Sequence, residues 1–222
     1  MLDARDPIRE DVIAVLRQMI SLGALSPGRR LKEISLAEEL GVGRTPVREA
    51  LLIMERDGYV VAEPNKGCSV ASITAAQISD AYSVCGALEA LAIKRTPKFT
   101  PDHIAELDQL NEKLLKARNK TAKHKYDTAW HEALCKRSDG QYLANLLENA
   151  RAFSRCFDGG QRRGIVNAER TVTEHDAITR ALSADDRAKA TRLIEEHWAG
   201  GVTTVIDWLT INDQIGRDPK IV

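Results

Sequence analysis

Two sets of residues in this 222-residue chain have types and spacings that could do chemistry. The first is Gly43-Arg44-Thr45-Pro46-Val47-Arg48-Glu49-Ala50-Leu51, which puts two arginines at the start of a predicted helix. An arginine fork fits guanine O6 and N7 in the major groove, and each such pair discriminates by about 1–3 kcal/mol. A helix N-terminus and the Thr45 hydroxyl suit phosphate oxygens. The second set is Asp127, His131, His175 and His197. Asp127 and His131 are four apart and share a helix face, while His175 and His197 sit on apolar stripes where an unpaired ring is costly. Three imidazoles and a carboxylate projecting into one helical bundle suit a divalent cation such as Zn²⁺, Ni²⁺ or Mn²⁺. Spacing alone leaves blander readings open for both sets. Surface arginines are common, and an Asp-x-x-x-His pair is often a surface ion pair.

The elements around the first set point to a small DNA-reading domain. Asp6-Pro7 opens a helix whose apolar face is Ile8, Val12, Val15, Leu16, Met19 and Ile20, with Gly23 as its stop. Pro27-Gly28 turns the chain. A second helix spans Ser35–Leu40, with Ser35 and Glu38 spaced as a capping box, and Gly41 ends it. The third begins near Arg44–Pro46, capped by Gly43 or Thr45, and runs to Asp57 with Val47, Ala50, Leu51 and Met54 buried. Alternating runs at Tyr59–Glu63 and Cys68–Ala71 flank a Pro64-Asn65-Lys66-Gly67 turn. Three helices and a two-stranded hairpin make a winged helix-turn-helix, and Lys66 at the wing tip could reach a phosphate.

After Ala71 only helical periodicity is found. Thr74 and Gln77 open a helix to about Arg95, with Ile78, Ala81, Tyr82, Cys85, Leu88 and Ala92 as its stripe. Thr100-Pro101 caps the next, which buries Ile104, Leu107, Leu110 and Leu114. Further helices are expected near 122–137, 141–157 (carrying Tyr142, Leu146, Ala150 and Phe153) and 167–182. A polar loop, Asp158 to Gly164, separates the last two. The sixth starts at Ser183 or Asp185 and reaches about Leu209, with Gly200-Gly201 inside it as a kink point.

The fold class is therefore mainly α: a winged helix-turn-helix at 1–72, an all-helical bundle at 73–210 and a tail at 211–222. Net charge is zero, and residues 1–72 hold ten Lys/Arg against eleven Asp/Glu, so any DNA-binding face must come from the placement of charge. The charged start argues against a signal peptide, and no apolar run nears the roughly 18 residues that cross a bilayer. The four cysteines lack a C-x-x-C spacing, which suits a cytoplasmic chain with reduced thiols.

Residues 25–71 resemble the DNA-binding domain of the GntR family of bacterial transcription regulators. The likeness rests on Pro27-Gly28 with Leu31, Leu36 to Val42, Arg44 to Leu51, and Pro64 to Gly67. It implies contacts to bases or adjacent phosphates from Arg44 and Arg48, and similar contacts from Thr45, Lys66 and Gly67. Gly43 stands where these regulators usually carry Ser or Thr, and Ile34 where some carry a DNA-contacting arginine. Residues 74–209 are similar to the FadR (FCD) effector domain, in its shorter VanR-type form, through Ala87-Leu88-Glu89-Ala90-Leu91-Ala92, Asp127 to Leu134, Glu174 to Ile178, and His197. That resemblance implies a metal held by Asp127, His131, His175 and His197, with open positions for a small carboxylate effector. Many relatives place a carboxylate-pairing arginine where this chain has Cys85, which makes Cys85 a candidate for the effector pocket.

The expected protein is a cytoplasmic homodimeric regulator, most simply a repressor and not an enzyme. It reads an inverted-repeat operator in double-stranded DNA, and a metal-anchored metabolite controls its affinity. Its rivals are a direct metal sensor, a metal-dependent hydrolase using the Asp/His cluster, and a redox switch at Cys68 in the wing.

Overall fold

The computed structural model describes residues 7–21, 24–63, 67–72, 74–157 and 168–211. They form two compact units, one holding the chain up to Thr74 and the other running from Ala75 to Ser154 and taking in the last two helices.

The first unit orders α1 (Pro7–Ser21), β1 (Arg30–Leu31), α2 (Glu33–Leu40), α3 (Arg44–Arg56), β2 (Val60–Glu63) and β3 (Gly67–Val70). The α1 face that meets the core is Val12, Ile13, Leu16 and Ile20. Ile8 and Val15, expected inside, are exposed instead, because Ile13 takes the place on the buried side. On α3 the expected stripe of Val47, Ala50, Leu51 and Met54 is fully inside. Arg17 fastens α1 to the end of α3 through Asp57 at 3.0 Å.

Two local expectations change, at the start of α2 and in the wing, and one open choice is resolved at Gly43. Helix α2 starts two residues early, at Glu33, with Lys32 in the cap position and no side-chain cap bond, so Ser35 and Glu38 lie inside the helix. Gly41 in the left-handed region (φ 66°) does end it, as only a residue without a Cβ does cheaply. Gly43 is the N-cap of α3. The wing is a three-stranded antiparallel sheet ordered β1-β3-β2 rather than a lone hairpin. Gly28 (φ 77°) folds the chain back so that its N–H reaches the Val70 carbonyl at 2.9 Å. Arg30 then stands opposite Ser69, and on the other side of β3 Val61 does so too. Asp6, Gly23 and Pro64 to Lys66 lie outside the described residues.

The second unit is all-helical among the described residues: α4 (Ala75–Arg95), α5 (Pro101–Lys116), α6 (Lys120–Cys135), α7 (Gln141–Phe157), α8 (Ala168–Ser183) and α9 (Arg187–Ile211). Caps set its boundaries. Thr100 accepts from the His103 N–H, Asn119 from Ala122, and Asp186 from Lys189. Asp186 therefore opens α9, not Ser183 or Asp185. The core gathers Ile93, Leu107, Trp130, Leu134, Ile178 and Ile194, all fully buried. On α7 the inward face is Leu143, Leu147, Arg151 and Ser154. Tyr142 and Leu146, from the apolar stripe read in the sequence, are 78% and 37% exposed. Gly200 and Gly201 lie within an uninterrupted α9. A Cβ on Gly201 would come 2.8 Å from the Tyr82 ring and one on Gly200 would run into Arg170, so these glycines permit close approach. The polar loop 158–164 and the tail after 211 lie outside the described residues.

Candidate metal centre and DNA-reading helix

Helix α6 supplies Asp127 and His131, α8 supplies His175, and α9 supplies His197. One ring nitrogen from each histidine lies within 4.8 Å of the other two. The Asp127 carboxylate stands 3.8 Å from His175 Nε2. His175 is fully buried, His131 nearly so, and His197 and Asp127 lie towards the rim. Trp130 stacks flat on His175 with ring centroids 3.6 Å apart, which fixes the plane of that ring.

What turns three rings into a donor set is the second nitrogen of each. His131 Nδ1 meets Glu89 Oε2 at 2.8 Å, and His197 Nδ1 meets Glu174 Oε2 at 2.7 Å. Carboxylates only accept, so both Nδ1 nitrogens donate, and the tautomer this selects is the one that can ligate through Nε2. His175 Nδ1 faces the Asn111 side-chain oxygen at 3.2 Å. The amide orientation follows from its other end, where Nδ2 donates to the Val172 carbonyl at 3.0 Å and to Asp176 at 2.5 Å. His175 Nε2 is then a buried lone pair with no hydrogen-bond partner among the described residues. Buried nitrogens of that kind are rare unless something else binds them.

The electrostatics favour the neutral ring at His175, while the Glu89 charge favours the protonated ring at His131, whose proton a bound cation would displace. Glu89 is completely buried, which would raise its pKa, yet the charges of His131 and Arg151 and the bonds from His131 and Trp198 bring it to about 2. Arg151, reaching in from α7, bonds Glu89 at 2.8 Å, the His131 carbonyl at 2.9 Å and Cys135 at 3.0 Å. Burial depresses the His131 pKa, but Glu89 outweighs it and the net shift is upward. Burial, then the neighbouring His197 and His131, hold His175 well below its usual value and therefore neutral. Glu174 is lowered: burial opposes this, and hydrogen bonds from His197 and Arg170 overcome it. A neutral imidazole with a bare Nε2 is the ligating form. The donor set fits a divalent cation.

Sequence reading singled out the four inner residues but not their supports. Asn111 interrupts the apolar α5 stripe between Leu107 and Leu114, and Glu89 interrupts that of α4 one turn after Cys85. A polar residue at a stripe position was the available signal. Glu174, the chain neighbour of His175, reaches across to His197 on α9. Arg151 was hidden by the misassigned α7 stripe. Cys85 is fully buried on α4.

In the first unit Arg44, Thr45 and Arg48 are all exposed at the N-terminal end of α3, opposite its buried stripe. Gly67 begins β3 with φ 80°, and Lys66 lies outside the described residues. Cys68 is half-buried, and burial with Glu55 and Glu33 raises its pKa. That is the wrong direction for a reactive thiolate, so the redox reading loses its support.

Comparison with known proteins agrees with both units. Residues 8–70 match the model for bacterial regulatory proteins of the gntR family, and residues 80–200 match the FCD domain. The HTH-type regulator YdhC of Bacillus subtilis is 27% identical over 89% of this chain and 90% of its own. The repressor RspR of Escherichia coli is 26% identical over 88% of each. The structure of E. coli McbR/YncC superimposes with a TM-score of 0.70 at 24% identity, covering 94% of this chain and 99% of that one. No described helix is long and apolar enough to cross a membrane. These proteins are transcription regulators and not enzymes, and this chain belongs to their family, the GntR regulators that carry an FCD domain.

Proposed function

We propose that this regulator is a cytoplasmic homodimeric repressor whose operator affinity is set by a small carboxylate bound at a divalent metal. Residues 1–72 serve as its DNA-binding part, 73–210 as its effector part and 211–222 as a tail. The single observation that carries the reading is the set of three Nδ1 atoms held by Glu89, Asn111 and Glu174, which leaves the three Nε2 atoms as the nitrogens free to ligate beside Asp127. His131, His175, His197 and Asp127 would hold Zn²⁺, Ni²⁺ or Mn²⁺. The ion would supply a Lewis-acidic, positively charged anchor for an incoming anion. With one anionic residue in its inner set, a divalent cation is under-neutralised, which favours a carboxylate ligand. Cys85, one turn before Glu89 on α4, belongs to the effector side of the same proposal. Arg44, Thr45 and Arg48, with Lys66 and Gly67 at the wing, would meet bases and phosphates of an inverted repeat. The name of the relative RspR, a repressor, supports the sign of the control.

The test is thermal denaturation of metal-loaded protein with a panel of small carboxylates, repeated after chelation. A ligand at about a hundred times its Kd adds about 2.7 kcal/mol of stability. The reading requires a shift that disappears with the metal. Metal-loaded protein that answers no carboxylate, yet changes its operator affinity with free metal alone, would replace the reading with a direct metal sensor.

A further inference from the structure

The chain as a whole is neutral, with 32 Lys/Arg against 32 Asp/Glu. One stretch breaks that balance. Residues 113–126 hold Lys113, Lys116, Arg118, Lys120, Lys123 and Lys125 and no acidic residue. They cover the last turn of α5, the short connection at 117–119 and the first turns of α6. Lys113, Lys116, Arg118 and Lys125 are exposed, and Lys123 is half-buried. Lys116 pairs with Glu112 at 2.5 Å. The side chains of Lys113, Arg118, Lys123 and Lys125 have no ion pair or hydrogen bond among the described residues.

The two helices that meet at this corner carry the charge for different reasons. At the end of α5, Lys113 and Lys116 stand by the negative end of the helix dipole, where cations are favoured. The first turn of α6 is the opposite case. It holds no acidic residue, and Lys120 and Lys123 follow the Asn119 cap at the positive end of the dipole. Cations there oppose the dipole and repel one another, so the fold does not call for them. An anion at the corner would reverse both costs. The corner also has a defined place in the bundle. Asn111 on α5 bonds the Val172 carbonyl near the start of α8. Arg170, one turn earlier on α8, lies on Gly200 of α9, and Gly201 lies on Tyr82 of α4. The corner is therefore at the end of the bundle where α4 begins, and only residues 71–74 separate α4 from β3 along the chain.

The charge says which anion. Regulators of this family read DNA, a polyanion with one phosphate charge per roughly 1.7 Å of duplex. The winged helix, with ten basic residues against eleven acidic, carries no net positive charge to attract it. The corner supplies what that unit lacks. We infer that duplex DNA flanking the operator lies along the α5/α6 corner, with its phosphates against Lys113, Arg118, Lys123 and Lys125. These contacts carry no sequence information; they add affinity to the recognition made by α3 and do not depend on the metal reading. Helix α6 continues from the corner to Asp127 and His131, so the helix that would bind the metal is also the one that would touch DNA.

Fluorescence anisotropy of a long labelled duplex of arbitrary sequence, titrated with the full chain over a range of KCl concentrations, tests this. The logarithm of affinity falls linearly with the logarithm of salt, and each phosphate contact contributes about 0.9 to the slope. The variant Lys113→Gln/Arg118→Gln/Lys125→Gln, changed only at exposed positions, should keep its helical circular dichroism and lose about 2.7 from that slope. A second variant, Lys98→Gln/Arg180→Gln/Lys189→Gln, removes the same charge from exposed positions at the other end of the bundle. It should keep the wild-type slope. A corner variant with the wild-type slope would overturn the inference and leave the corner to an acidic protein partner. Equal losses in the two variants would trace the effect to net charge, not to a site, and would overturn it as well. Either failure leaves recognition by α3 standing, because the arbitrary duplex offers no operator.

Discussion

At the scale of single residues, the proposed metal centre is a problem of tautomers. A histidine ligates through its unprotonated nitrogen, and the partner of the other nitrogen fixes which one that is; here two carboxylates and one amide supply those partners. Asn111 is the informative member, because its amide is fixed by the Val172 carbonyl and Asp176 before it addresses His175. Asn111→Leu should lower metal affinity about 10- to 100-fold, measured by competition with a chromophoric chelator. Unchanged affinity would mean that His175 needs no orienting partner. The inner residues were legible in the sequence because Asp127 and His131 share a helical face and the family pattern is specific. Their partners were not, because Asn111 and His175 are 64 positions apart and Glu89 and His131 are 42 apart. Only the tertiary fold brings such pairs together.

At the scale of elements, helices are fixed by caps and stripes, and the sequence showed most of them. It placed the ends of α7 and the cap of α5 correctly and missed the short β1, whose pairing depends on a turn at Gly28 and a partner strand almost forty residues away. It also chose the wrong face of α7. The helix has two apolar stripes, and burial of Arg151 among Leu143 and Leu147 reverses the usual preference for charge outside. That reversal has a reason. Arg151 neutralises Glu89 and ties α7 to α4 and α6 in one contact network. Arg151→Ala would strand a buried carboxylate and should cost about 3–5 kcal/mol in chemical denaturation; a loss below about 1 kcal/mol would show that Glu89 is neutral or solvated. On α3 the expectation is the converse. Arg48 is exposed, so Arg48→Ala should abolish operator binding while shifting stability by less than about 1 kcal/mol. Operator affinity equal to wild type would remove α3 from the recognition role.

At the scale of the whole molecule, stability should depend on acid and on metal. His103 is fully buried, donates through Nε2 to the Ala133 carbonyl at 2.8 Å, and leaves Nδ1 buried with no hydrogen-bond partner among the described residues. Burial lowers its pKa from 6.5, aided by Arg137 and Lys136 and opposed by the Ala133 bond and Glu106. The unfolded chain therefore binds a proton below about pH 6.5 that the folded chain refuses, and stability falls as pH drops through that range. His175 acts in the same direction, whereas His131, raised by Glu89 despite its burial, acts in the opposite one. Comparison of His103→Gln with wild type, both chelated, isolates the first group: the variant should lose less stability between pH 7 and 5. An identical pH profile would mean that His103 is protonated alike in both states. A metal would act through the same linkage, since an ion that bound only the folded bundle would hold α6, α8 and α9 together. The most direct measurement is titration of the chelated, folded protein with Zn²⁺, Ni²⁺ and Mn²⁺ by calorimetry, beside His175→Ala. One ion per chain in the wild type, with binding lost in a folded His175→Ala variant, is the expected result. A folded wild type that binds none of the three, or a variant that binds as tightly, would contradict the metal centre and the effector control built on it.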